Sequence, residues 1–216
     1  HYTERLYRAR TLLAYEYRMT LPDSPKRRAD FDLPADRTVY LCPQQLGKIH
    51  PDFDPILGRI LRRDERGLVA LVEDYHRHAG ECLRERLSQT VPDVAQRIVF
   101  LPRQSLSDYM CLVAAADVVL DSLHYGGGIT AYDAFSFDQP IVTLPSEFRR
   151  GRYALGCYRK MDIMDCVATT PEEYVEIAVR LGTDRKYRET IRARIRSAAG
   201  VLFEELESVR EFEQFL

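Results

Sequence analysis

From Thr38 onward the apolar residues fall into two alternating kinds of segment. Short aliphatic or β-branched runs occur at Thr38 to Cys42, Leu68 to Val72, Arg97 to Phe100, Val118 to Asp121 and Pro140 to Thr143, each followed by polar or Gly-rich residues. Longer amphipathic stretches of about three turns separate them. Nearly continuous apolar runs predict strands covered on both faces, and their alternation with helices predicts a parallel sheet. The expected fold class is therefore α/β: a Rossmann-like parallel sheet with helices on both faces, followed by a helical C-terminal appendage.

The helices have local causes. Pro51 to Arg63 sets Phe53, Ile56, Leu57, Ile60 and Leu61 on one stripe. Ser105 or Ser107 can cap a segment running through Ala115, with Asp108 in its first turn. Thr170, Pro171 and Glu173 read as N-cap, N1 and N3 of a capping box, predicting a helix from Pro171 to about Arg180 that Gly182 ends. Asp184 caps a further helix to Ala198, and Phe203 to Phe215 is a last amphipathic segment. Leu21 to Arg37 is rich in Pro, Asp, Lys and Arg without periodicity and predicts a linker. Residues 1–36 thus stand apart from a main domain over residues 37–216.

Composition narrows the function. The 216 residues include 31 Lys and Arg against 33 Asp and Glu, for a formal charge of −2. A nucleic-acid binder usually carries a basic excess, so nucleic acid is not expected as a partner. No apolar run approaches the roughly 18 residues of a membrane span and no signal peptide opens the chain, so no membrane association is expected. The five cysteines are scattered without a CxxC pair, which fits reduced thiols and a cytoplasmic location. The chain opens on His1, as a piece of a longer protein would.

In open parallel sheets ligands bind outside the carboxyl ends of the strands. Three strand-to-helix loops are unusual. The first, Pro43 to Pro51, carries Gln45 and Lys48; taken alone, Lys48 reads as an exposed loop lysine or as a point charge for a phosphate. In the second, Gly126, Gly127 and Gly128 are contiguous ahead of Ile129 and Thr130, where backbone amides at a helix start form an anion site, or where Thr130 is simply an N-cap. Asp133, one turn on, can accept hydrogen bonds from ribose hydroxyls. The third loop holds Arg149, Arg150 and Arg152 around Gly151, suited to a diphosphate or to solvent. His76 and His78 flank Arg77 without a third ligand, so no metal site is expected. The glycines do not fit GxGxxG, and neither GxSxG nor a P-loop is present.

The runs CPQQLGKIHPDFDPILGRILRRD, ADVVLDSLHYGGGITAYDAF and QPIVTLPSEFRRGRYALGCYRKM, with the later TPEEYVEIAVRLGTD, together resemble the C-terminal catalytic half of family 41 glycosyltransferases. That family includes protein O-GlcNAc transferases and Spindly-type O-fucosyltransferases. The resemblance covers residues 36–216 and makes HYTERLYRARTLLAYEY the end of the preceding N-terminal half. It implies the C-terminal domain of a GT-B fold, a nucleoside diphosphate sugar donor such as a UDP-sugar, no cofactor, an acceptor protein or peptide, and upstream tetratricopeptide repeats.

Residue by residue, the resemblance makes Gln45 and Lys48 diphosphate contacts, with Lys48 the catalytic charge on the leaving group. Thr130 and the Gly126 to Ile129 run meet the phosphates, Asp133 the ribose, Tyr109 and the backbone around Arg103 and Gln104 the base, and Arg152 lies among the nucleotide-sugar contacts. Gly128 and Ile129 depart from polar residues of O-GlcNAc-type relatives, and Leu106 from a basic one. The implied reaction is inverting, metal-independent transfer of a sugar to Ser or Thr, with a general base from the absent half or from His124. UDP and GDP donors both remain open, as does a nucleotide-binding or interaction module without catalysis.

Overall fold

The computed structural model describes Thr3, residues 7–75 and residues 77–216. Five strands form one sheet: β1 (Thr38–Cys42), β2 (Gly67–Val72), β3 (Ile98–Leu101), β4 (Val118–Leu120) and β5 (Ile141–Val142). All are parallel, in the spatial order β3-β2-β1-β4-β5. Each predicted strand lies within one residue of its observed bounds. In central β1, Val39 through Cys42 are fully buried, so neither face meets water, as the unbroken apolar run predicts.

Eight helices accompany the sheet among the described residues: α1 (Asp54–Arg63), α2 (Arg77–Thr90), α3 (Leu106–Ala115), α4 (Ile129–Ser136), α5 (Tyr153–Met161), α6 (Pro171–Thr183), α7 (Arg185–Ala198) and α8 (Leu206–Phe215). The predicted caps form at Ser105, Thr170 and Asp184, whose side-chain oxygens accept from the amides of Asp108, Glu173 and Tyr187. The stretch predicted as one helix from Pro51 opens with a 3-10 turn, Pro51–Phe53, before α1. Glu173 departs from the capping box: its carboxylate takes the amide and hydroxyl of Thr169, one residue before the cap.

Four expectations are corrected. Gly182 does not end α6, which runs through it to Thr183. A Cβ there would lie 2.6 Å from Tyr40 Cζ, so this glycine serves the close approach of α6 to β1. Second, α6 is no appendage. It packs on α1, β1 and β4 and buries Tyr174, Val175, Ala178 and Leu181. Third, the segment read as a linker is pinned: Phe31 and Leu33 enter the core, and Arg28 binds the Ala115 carbonyl at 2.8 Å and Asp117 at 2.7 Å. Two apolar residues in a polar stretch suffice to anchor it, while most of the stretch stays exposed. Fourth, the last amphipathic segment becomes helical only at Leu206, after a 3-10 turn at Ala199–Leu202.

Upstream residues also lie on the domain. The Glu211 carboxylate of α8 accepts from the Arg10 and Thr11 amides and the Thr11 hydroxyl, at 2.6, 2.9 and 2.6 Å.

Candidate functional site

From β1 the chain steps outward through β2 to β3, then returns to place β4 on the other side of β1. The strand order reverses between β1 and β4, which opens a crevice outside their carboxyl ends. The loops that follow these two strands are those carrying Gln45, Lys48 and the three glycines.

The first loop is fixed from below. Leu46 and Ile49 are buried on either side of a 3-10 turn, Leu46–Lys48. Arg86 of α2 donates to the Ile49 carbonyl at 2.9 Å while its guanidinium is paired with buried Asp54. Lys48 is thereby held half-buried, its Nζ 4.4 Å from the centre of the Tyr125 ring in the second loop. Gln45 is exposed.

The second loop is built on Asp121, at the end of β4. Its carboxylate accepts from the Gly127 amide at 2.6 Å and the Thr143 hydroxyl at 2.7 Å, and its carbonyl accepts from the Tyr174 hydroxyl at 3.0 Å. Burial still pushes the Asp121 carboxyl up to about 6, against the pull of these hydrogen bonds. A Cβ on Gly126 would stand 2.8 Å from either Asp121 oxygen, and one on Gly127 2.8 Å from Gln44 Nε2. Since no described glycine has a positive φ, the need here is for space. Gly128, with open space around it, is the N-cap of α4.

Thr130 is therefore not the cap, as one reading of the sequence has it, but the second residue of the helix. Its hydroxyl oxygen accepts from Gln44 Nε2 at 2.7 Å, which leaves the hydroxyl proton to be donated elsewhere. In the first turn of α4 the Ala131 amide donates to the Gly128 carbonyl at 3.0 Å, and the amides of Ile129 and Thr130 precede it at the positions where a helix offers no intrahelical acceptor. Ile129, 65% exposed, stands beside them.

Deeper in, Asp133 is only 7% exposed, and burial, with Glu16 second, pushes its carboxyl up to about 6. Tyr109 of α3 brings up a buried hydroxyl that has no hydrogen-bond partner. Burial raises that phenol well above its ordinary range, and the neighbouring Asp133 raises it further. A buried phenol hydroxyl without a partner among the described residues, beside a buried carboxylate, is the kind of group a polar ligand would satisfy.

The remaining predicted residues lie at the flanks. Arg103 stacks on Tyr75, its guanidinium carbon 3.6 Å from the ring centre, and Gln104 donates to the Pro102 carbonyl. Both follow edge strand β3. Arg152 is exposed at the start of α5. Its loop supports the glycines through backbone, the Arg150 carbonyl accepting from the Gly126 amide at 2.8 Å. Of the two histidines weighed for a metal, His76 lies outside the described residues, and His78 Nε2 sits 3.4 Å from exposed Cys82. A cavity of ≈ 690 Å³ lies between residues 21–30 and the end of α3 and is lined by none of the predicted site residues.

Sequence reasoning missed Gln44. It is 4% exposed and orients Thr130, whereas its neighbour Gln45 points to solvent. Two adjacent glutamines after a strand give no sequence signal that separates them.

A cationic side chain, helix-start amides and a hydroxyl on one rim, with a buried carboxylate and phenol behind, stand at the switch point of a Rossmann-like α/β domain. Comparison with known proteins narrows the class. The chain belongs to glycosyl transferase family 41, whose model matches residues 23–212. It is 30% identical over 191 residues to the UDP-N-acetylglucosamine–peptide N-acetylglucosaminyltransferase of Caenorhabditis elegans, covering 88% of this chain and 16% of that protein. A probable enzyme of the same name from Arabidopsis thaliana is 27% identical, over 89% of this chain and 20% of that protein. The chain thus spans a fifth or less of these two relatives. An O-GlcNAc transferase mutant from Thermobaculum terrenum superposes with a TM-score of 0.75 at 25% identity, over 90% of this chain and 37% of the other. Anabaena HepE, solved with UDP and glucose, shares the fold at a TM-score of 0.60 and 16% identity.

Proposed function

We propose that this chain is the donor-binding half of an inverting glycosyltransferase that moves a sugar, GlcNAc or a related one, from a nucleoside diphosphate to Ser or Thr of proteins. The observation that carries the reading is the cradle at the β1–β4 switch point, where Lys48 and the start of α4 converge from loops about eighty residues apart. Membership of family 41 and the named activity of its relatives support the same reading.

In this reading the leaving diphosphate lies between Lys48 and the amides of Ile129 and Thr130 that open α4. Charge developing on its oxygens meets the ammonium, those amides and the Thr130 hydroxyl, which Gln44 holds in place. Donors fixed before the reaction lower the barrier by several kcal/mol. The ribose hydroxyls meet Asp133 and the base lies toward Tyr109, whose buried hydroxyl has no partner among the described residues. Gln45, Arg103, Gln104 and Arg152 surround the donor on the rim. The reaction needs no cofactor, and the acceptor protein is met by the facing half. Upstream tetratricopeptide repeats and a cytoplasmic setting complete the proposal; among the described residues no helix is long and apolar enough to cross a membrane.

A nucleotide-binding module without transfer is the second reading. Apolar Ile129 favours it, because it exposes a side chain that cannot donate to phosphate beside the amides that would hold it. Calorimetric titration of the chain with UDP and with GDP, using Lys48→Ala as control, tests the site. UDP binding that depends on Lys48 supports a UDP-sugar donor, and preference for GDP moves the donor to a GDP-sugar. Binding that ignores Lys48 removes it from the diphosphate. Turnover of labelled donor by the full-length protein then separates transfer from binding alone.

A further inference from the structure

Three side chains next to the cradle converge on one point that neither the donor nor the fold accounts for. His50 and Asp52 leave the loop after β1, and His124 precedes the glycines after β4. Asp52 Oδ2 lies 2.8 Å from His124 Nε2 and 3.4 Å from His50 Nδ1. One ligand atom of each residue falls within 4.8 Å of the others, and the two rings meet edge to face at 4.9 Å. Atoms bound to one ion at about 2.1 Å stand about 3.0 to 3.4 Å apart for angles between right and tetrahedral. Two of the three separations are already near that spacing, and the third, at most 4.8 Å, lies between two half-exposed rings that can turn.

The hydrogen bonding within the group is incomplete in an informative way. His50 Nδ1 accepts the Asp52 amide at 3.2 Å, so this nitrogen is unprotonated, and its one lone pair, held by that long N–H contact, is the one a metal would take in its place. It cannot then donate to Asp52 Oδ2, and two electron-pair donors face each other 3.4 Å apart. His124 Nε2 supplies the carboxylate with one proton. Two imidazoles and a carboxylate so placed are relieved by a cation between them.

We propose that His50, Asp52 and His124 bind a divalent transition-metal ion of the Zn²⁺ or Co²⁺ class. Imidazole donors suit such ions, whereas Mg²⁺ and Ca²⁺ take oxygen ligands. On binding, the His124 proton moves from Nε2 to Nδ1 and frees Nε2 for the metal. Three protein ligands, all exposed, leave a coordination position open to solvent, as in sites that accept an outside ligand. The site stands on its own geometry and does not depend on the proposed transfer reaction.

Calorimetry of the chain with Zn²⁺ and, separately, Mg²⁺ near neutral pH tests the site, with Co²⁺ absorption reporting coordination. The expected result is one equivalent of Zn²⁺ and no Mg²⁺. His50→Asn, Asp52→Asn and His124→Asn should each weaken Zn²⁺ by about tenfold or more, at least the cost of disturbing a ligand's outer-shell partner. His78→Asn should leave it unchanged, which separates this site from the His78 and Cys82 pair. The three side chains are exposed, so the variants should melt like the parent by circular dichroism. No Zn²⁺ binding, affinity indifferent to His124→Asn, or affinity lost in His78→Asn overturns the proposal.

Discussion

The guanidinium of Arg86 closes on the Asp54 carboxylate through two N–H···O bonds of 2.8 and 3.0 Å, and Asp54 is fully buried. The same guanidinium holds the Ile49 carbonyl, one residue beyond Lys48. Removing Arg86 leaves a buried carboxylate without its counter-charge, which costs about 3 to 5 kcal/mol. Arg86→Ala should therefore lower the urea midpoint steeply. A loss of under about 1 kcal/mol would mean that water replaces the guanidinium there.

Lys48→Ala should weaken UDP or GDP binding by about 1 to 3 kcal/mol, the range for losing a charge-assisted hydrogen bond. Its melting temperature should hardly move, because the Lys48–Tyr125 contact lies at the rim. Calorimetry and a thermal melt on the same sample check both halves of this prediction.

Asp133 gives a pH signature. Its carboxyl rises from 3.8 to about 6 on folding, so the native state holds the proton more tightly than the unfolded chain. Its effect on stability is therefore neutral below the lower value, turns unfavourable as pH climbs between the two, and stays so above. Asp133→Asn should be more stable than the parent near neutrality by about 1 to 2 kcal/mol, allowing for solvent screening. The gap should vanish near pH 4, about where the unfolded carboxyl takes up its proton. Equal stability of the two proteins across this range would show the carboxylate to be solvated.

Glu211 acts in the opposite direction. The Thr11 hydroxyl, then the Arg10 amide, hold its carboxyl down to about 2 from 4.5. The stability it supplies is complete above the ordinary glutamate range and is lost as pH falls toward the native value. Glu211→Gln should flatten the acid limb of a melting-temperature profile. It should also speed proteolysis within residues 7–19, which would stay as slow as in the parent if other contacts held that segment.

Gly182→Ala tests a correction. A glycine that merely ended a helix would tolerate alanine with little loss. Here the added methyl meets the Tyr40 ring, and overpacking of this kind costs about 1 to 3 kcal/mol. An unchanged urea midpoint would refute the close-approach account.

The sheet was legible because each strand is an unbroken apolar run between breakers, and the caps because Ser105, Thr170 and Asp184 have local chemistry. What stayed hidden depends on contacts distant in sequence. Gly182 looks like a terminator until Tyr40 is set beside it, and Phe31 looks like linker until the core is there to receive it. In the site, Lys48 and the Gly126 to Thr130 run announce themselves by residue type. Gln44 differs from Gln45 only in the direction it faces, and His50, Asp52 and His124 become neighbours only because β1 and β4 are adjacent.

Asp121 has a consequence for how this site can diversify. With one oxygen on Gly127, the other on Thr143 and its carbonyl on Tyr174, it ties the glycine run to β5's extension and to α6. Three successive glycines usually invite the picture of a hinge, yet here they form a mould whose walls are set by residues far along the chain. A mould of fixed backbone cannot be retuned by bending. In the proposed reading, a change of sugar would have to be written in the exposed side chains that stand on its lip, Tyr125 and Ile129, while the floor beneath them stays as it is.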